Sequence, residues 1–176
     1  GGNAMVNTPS TWADLETALT YYDRNPAYVS GVGLVVRGTD LVGVDFDHCI
    51  GDDLTIAPWA LAIVRSLASY TEVSPSGTGL RVFGFGSKPS TKGKPSEKRG
   101  NIELYDHVST RFLTFTGRSW QGYPLELRDV TPEFAALYRE TFPEPEPAPV
   151  VRRDPQPVTL EDADLLTKAM SAKNGA

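Results

Sequence analysis

Cysteine is almost missing from this chain: Cys49 is the single example in 176 residues. That excludes an internal disulfide and a cysteine-rich zinc site, and it agrees with a reducing compartment. Histidine is nearly as scarce. His48 and His107 have no partner at metal-ligand spacing, so His48 is at most a support for the acids beside it. Long apolar runs are missing too, none approaching the roughly 18 residues of a membrane span. No secretory apolar core stands near the start. The expectation is a cytoplasmic protein with no membrane partner. Positive charge is in deficit, with 17 Lys and Arg against 22 Asp and Glu and a net charge of −5. Binding to nucleic acid through bulk charge is therefore disfavoured, which leaves a local basic surface as the route to such a partner.

What is present describes a globular protein, with 40% hydrophobic and 22% charged residues. The length suits one domain with appendages and a true core. Residues 1–4, ahead of Met5, read as a cloning remnant. A first helix is expected from Ser10-Thr11-Trp12, with Thr11 and Asp14 as a capping box. Trp12, Leu15, Ala18, Leu19 and Tyr22 form its apolar face. Residues 32–37 and 41–46 flank Gly38-Thr39-Asp40 and read as a hairpin. Pro58 opens a helix with Trp59, Ile63 and Leu67 as its buried stripe. Residues 80–85, 102–105 and 111–116 read as strands. Thr131-Pro132 starts a helix that turns Phe134, Leu137 and Tyr138 inward. The compact domain is expected to span 5–142. Proline-rich residues 143–158 then predict an extended linker. Residues 159–176 restart a helix with a capping box at Thr159, the expected start of a truncated C-terminal helical domain. The loose alternation of helices and strands gives an α/β or α+β class with a mostly antiparallel sheet.

Val44-Asp45-Phe46-Asp47-His48 carries the first chemical signal. Side chains along a strand repeat every two residues, so Asp45 and Asp47 leave one face while Phe46 points into a core. Two ionised carboxylates side by side repel, and a hard divalent cation relieves them. The same pattern also suits two solvated acids at a strand end. Ile102-Glu103-Leu104-Tyr105 repeats the alternation, so Glu103 is either a third carboxylate for a metal site or a surface acid on an edge strand. Ser74-Pro75-Ser76-Gly77-Thr78-Gly79 is rich in serine and glycine, as suits backbone N–H groups converging on a phosphate, or a plain connecting turn. Arg81 follows it and can present a planar fork to phosphate. Lys88, Lys92, Lys94, Lys98 and Arg99 crowd the stretch 86–100, which reads as a mobile basic loop and the main positive patch. Arg111 lies on the last alternating strand.

In this order the motifs resemble the archaeo-eukaryotic primase superfamily, nearest to the primase-polymerases of phages, plasmids and other mobile elements. Asp45 and Asp47 match its acid-x-acid first motif. Ser76-Gly77-Thr78-Gly79-Leu80-Arg81 matches the triphosphate loop of its second, and Glu103 matches the acid of its third. The resemblance runs from about Trp12 to Trp120, and Lys168-Ala169 to Asn174-Gly175 resembles the opening of the helical domain that follows in phage-type members. One departure stands out: the family usually has histidine at the place of Arg81, and arginine cannot donate a proton at neutral pH.

The resemblance implies a catalytic core with an RRM-like antiparallel sheet and a small α/β nucleotide-binding unit. It also implies Mg²⁺ or Mn²⁺ held by Asp45, Asp47 and Glu103. Ser74, Ser76, Gly77, Gly79, Arg81 and Arg111 would bind nucleotide, and Lys92, Lys94, Lys98 and Arg99 nucleic acid. The implied partners are a DNA template or primer, nucleoside triphosphates and a C-terminal helical or helicase domain. The alternatives are a primase-like module that binds nucleic acid without catalysis, which Arg81 favours, and an Asp-x-Asp glycosyltransferase, which the Ser-Gly loop disfavours.

Overall fold

The computed structural model describes residues 4–29, 31–89, 96–99, 101–143 and 160–171. The chain divides into two units, residues 1–144 and 145–176. Among the described residues of the second unit there is one helix, α4 (Leu160–Ser171). In the first, the order is α1 (Leu15–Arg24), β1 (Val32–Val35), β2 (Leu41–Phe46), α2 (Pro58–Leu67), β3 (Thr71–Val73), β4 (Leu80–Phe85), β5 (Ser96–Arg99), β6 (Ile102–Tyr105), β7 (Phe112–Phe115) and α3 (Thr131–Thr141). Among the described residues no helix is long and apolar enough to cross a membrane.

Five strands form an antiparallel sheet in the order β3-β4-β2-β6-β5, and β1 pairs with β7 in a separate antiparallel ribbon. The class is α+β. Alternation divides the sheet's two faces. Val42, Val44 and Phe46 of β2 meet Leu80, Val82 and Leu104 of its neighbours, and all are buried with Ala60, Val64 and Leu67 of α2 and Phe134, Leu137 and Tyr138 of α3. The opposite face carries Phe83 and Tyr105, which pack with Leu113 of β7, Tyr70 and Val36 in a second, smaller core. Gly43 lies under the ribbon, where a Cβ would stand 2.2 Å from Leu113 Cδ1 and oblige that side chain to shift.

Several local expectations change. The hairpin expected between residues 32–37 and 41–46 does not form, because β4 and β6 take both edges of β2. The Gly38 N–H instead donates to the His107 carbonyl at 2.9 Å, which ties the turn to the segment after β6. α1 starts later than expected. Thr11 Oγ1 is taken by the Met5 N–H in a 3-10 turn, and Asp14 itself caps the helix, accepting from the Thr17 N–H at 2.8 Å. Its apolar face is not buried; no residue of α1 is. On α2 the buried stripe is Ala60, Val64 and Leu67, while Trp59 is 40% exposed and reaches back to Phe46 with ring centroids 6.1 Å apart. α3 buries Phe134, Leu137 and Tyr138 as expected. The linker expected at 143–158 falls almost wholly outside the described residues.

Candidate active site

Register places one charged residue from each strand side by side across the sheet: Glu72, Arg81, Asp45, Glu103 and Lys98. Directly opposed residues of antiparallel strands point to the same side, about 4.5–5.5 Å apart. For Arg81, Asp45 and Glu103 that side is the one away from α2 and α3. The sign alternates along the row except at Asp45 and Glu103, where two acids face each other.

Each of these two acids has an arginine on one oxygen. Arg81 Nε donates to Asp45 Oδ1 at 2.9 Å, and Arg81 Nη1 donates to the Thr114 carbonyl. Arg111 Nη1 donates to Glu103 Oε1 at 3.1 Å. Burial pushes the Asp45 carboxyl above its ordinary value; Arg81 pulls it back, and the charges of Asp47 and Glu103 add to the rise. Tyr105, hydrogen-bonded to Glu103, is pushed up in the same way, first by burial and then by that charge. Asp47 is the first residue past β2, and its N–H donates to the Asn101 carbonyl at 2.9 Å, which continues the β2–β6 ladder to the end of the sheet. His48 follows with φ 50, a left-handed turn that carries the chain away. Among the described residues no three His, Cys, Asp or Glu side chains are gathered as a ready-made metal-binding group.

The Ser-Gly loop joins β3 to β4 as a tight hairpin. The Gly77 N–H donates to the Ser74 carbonyl at 3.0 Å and the Ser74 N–H to the Gly79 carbonyl at 2.9 Å, with Gly77 at φ 80. The hydroxyls of Ser74, Ser76 and Thr78 run in a chain, 3.0 and 3.1 Å apart. The loop leans on the segment after Asp47: the Ile50 N–H donates to the Thr78 carbonyl at 2.9 Å, and a Cβ on Gly79 would lie 2.3 Å from the Phe46 carbonyl oxygen. The acids, Arg81 and the loop thus belong to one end of the five-stranded sheet, and Arg111, the residue before β7, reaches Glu103 there from the separate ribbon.

The basic stretch differs from expectation. Lys88 is buried, its Nζ 3.6 Å from Asp106 Oδ1, so it does not belong to a surface patch. Lys98 and Arg99 lie on edge strand β5, not in a loop, opposite Glu103 and Ile102. Lys92 and Lys94 lie outside the described residues.

Two residues of this region have no role in the sequence reading. Glu72 is fully buried and accepts from the Tyr70 hydroxyl and from the N–H groups of Thr116 and Gly117. Arg118 Nη2 donates to the Ser74 carbonyl. Together they tie the end of β7, which holds Arg81 through Thr114, to the Ser-Gly loop. A hairpin centred on that loop already sets Glu72 opposite Arg81, so the register carried a signal for the first of them.

No protein-family model matches the chain. A curated relative does: the DNA primase-polymerase of Nitratiruptor phage NrS-1, 33% identical over 126 residues, which amounts to 69% of this chain and 17% of that protein. The chain thus spans 17% of the length of the relative it matches. On that similarity the chain is of the phage primase-polymerase type.

Proposed function

We propose that this chain carries the nucleotidyl-transfer centre of a DNA primase-polymerase, joining nucleotides on a DNA template in the replication of a phage, plasmid or other mobile element. The observation that carries the reading is the pairing of Asp45 with Glu103 across β2 and β6, with Asp47 at the strand end. Like charges directly opposite each other weaken a sheet; burial is the main cause that raises the Asp45 carboxyl, and the charges of Asp47 and Glu103 add to that rise. An all-oxygen, anionic donor set fits Mg²⁺ or Mn²⁺. Asp45, Asp47 and Glu103 would hold such ions, which when bound as a pair supply activation of the 3′-hydroxyl and stabilisation of charge on the transferred phosphoryl group.

The chain's own residues do the rest. Arg81 orients Asp45 by holding one of its oxygens against the β7 backbone. Ser74, Ser76, Gly77 and Gly79, with Arg81 and Arg111, cradle the triphosphate tail. Lys92, Lys94, Lys98 and Arg99 contact the backbone of a DNA template or primer. A relative named for both activities speaks against a purely non-catalytic module.

The test is extension of a labelled primer-template by the full chain, repeated without primer, with Mg²⁺ and with Mn²⁺. Incorporation that needs the metal and the template is expected. Its absence with both metals on both substrates overturns the reading.

A further inference from the structure

The two arginines at the carboxylates are held in different ways. Arg81 is enclosed: its side chain is 12% exposed, with Nε on Asp45 and Nη1 on the Thr114 carbonyl. Arg111 lies open. Its side chain is 63% exposed, yet it donates to Glu103, whose side chain is only 9% exposed. A solvated, long side chain at the start of β7 thus neutralises an enclosed carboxylate that also faces the charge of Asp45. An exposed arm loses little on leaving such a contact, because most of its side chain already faces solvent. A divalent cation beside Glu103 supplies the charge that Arg111 supplies, so the two compete.

Resting on the nucleotidyl-transfer reading above, we propose that Arg111 is an exchangeable counter-ion. It neutralises Glu103 until the divalent cation arrives, is displaced by it, and turns its freed fork to the triphosphate that enters with the cation. Arg81, anchored at two atoms, stays in place. Arg111 therefore acts against binding of the metal alone and in favour of binding of the metal-bound nucleotide. A salt bridge with a purely structural role has no reason to produce opposite signs.

The test uses the full chain in two titrations. Mn²⁺ alone is followed by the spin-resonance signal of the free ion. A non-hydrolysable deoxynucleoside triphosphate is then titrated by calorimetry in saturating Mn²⁺. Arg111→Ala is expected to bind Mn²⁺ alone roughly two- to tenfold more tightly than the parent. Its affinity for the triphosphate should fall roughly tenfold or more. Arg111→Lys, which keeps a charge but not the fork, should retain the parental Mn²⁺ affinity and recover only part of the triphosphate binding. Unchanged or weaker Mn²⁺ binding by Arg111→Ala overturns the exchange and leaves the metal site standing. Tighter Mn²⁺ binding with no loss of triphosphate affinity overturns the handover. Absence of Mn²⁺ binding in the parent and both variants overturns the inference together with the reading beneath it.

Discussion

Asp45 is held between an attraction and a repulsion, and burial decides the balance. Its carboxyl titrates above the ordinary 3.8 because desolvation outweighs the pull of Arg81. An acid whose value is raised on folding binds its proton more readily in the folded chain than in the unfolded one. Its ionisation therefore opposes folding, with the penalty absent below the unfolded value and complete above the folded one. Asp45→Asn removes that charge and keeps an oxygen that can accept from Arg81 Nε. The melting temperature of Asp45→Asn, relative to the parent in metal-free buffer, should be higher at neutral pH, and the difference should shrink as pH falls towards 3.8. Melting curves taken across that range check it. A variant that melts lower than the parent at neutral pH would show that the Arg81 pair outweighs the burial of the charge.

At the scale of elements, the β3–β4 hairpin is the piece on which the site depends. Gly79 lets the loop approach the carbonyl of Phe46, a backbone atom that cannot rotate away. Gly79→Ala must separate the loop from the end of β2, at a cost of about 1–3 kcal/mol of stability. The folded variant should also bind triphosphate more weakly. Urea unfolding with a nucleotide titration checks both, and an unchanged midpoint would contradict the close approach.

Much of this end of the sheet was legible in the sequence, because strict alternation around Asp45, Arg81 and Glu103 sets the facing of side chains whatever the topology. The pairing of strands was not legible. Residues 32–35 and 41–46 have a turn between them and suitable composition, but β2 is central and both its edges go to distant strands. Ser96-Glu97-Lys98-Arg99 has no apolar alternation at all, and its ladder with β6 makes it a strand. Arg111 was visible only as a basic residue on a strand; its partner Glu103 emerges once the strands are assembled.

Across the first unit the two faces of the five-stranded sheet divide the work. One is filled by α2 and α3, and it makes the sheet rigid through Phe46, Leu80, Leu104 and Phe134, all fully buried. The other carries the β1–β7 ribbon and the charged row, so the proposed chemistry would stand on strands whose backs are packed. On the proposed reading, this division lets an acidic chain of net charge −5 set basic side chains beside its acids. The acids are set at one end, with Arg81 and Arg111 on them and Lys98 opposite Glu103 in register. The central claim is that Asp45 and Asp47 take part in the chemistry rather than in folding. The direct test is primer extension by Asp45→Asn combined with Asp47→Asn, in Mg²⁺ and in Mn²⁺, with circular dichroism of the same sample. The account predicts a folded protein that incorporates no nucleotide; incorporation at the parental rate by the folded double variant would contradict it.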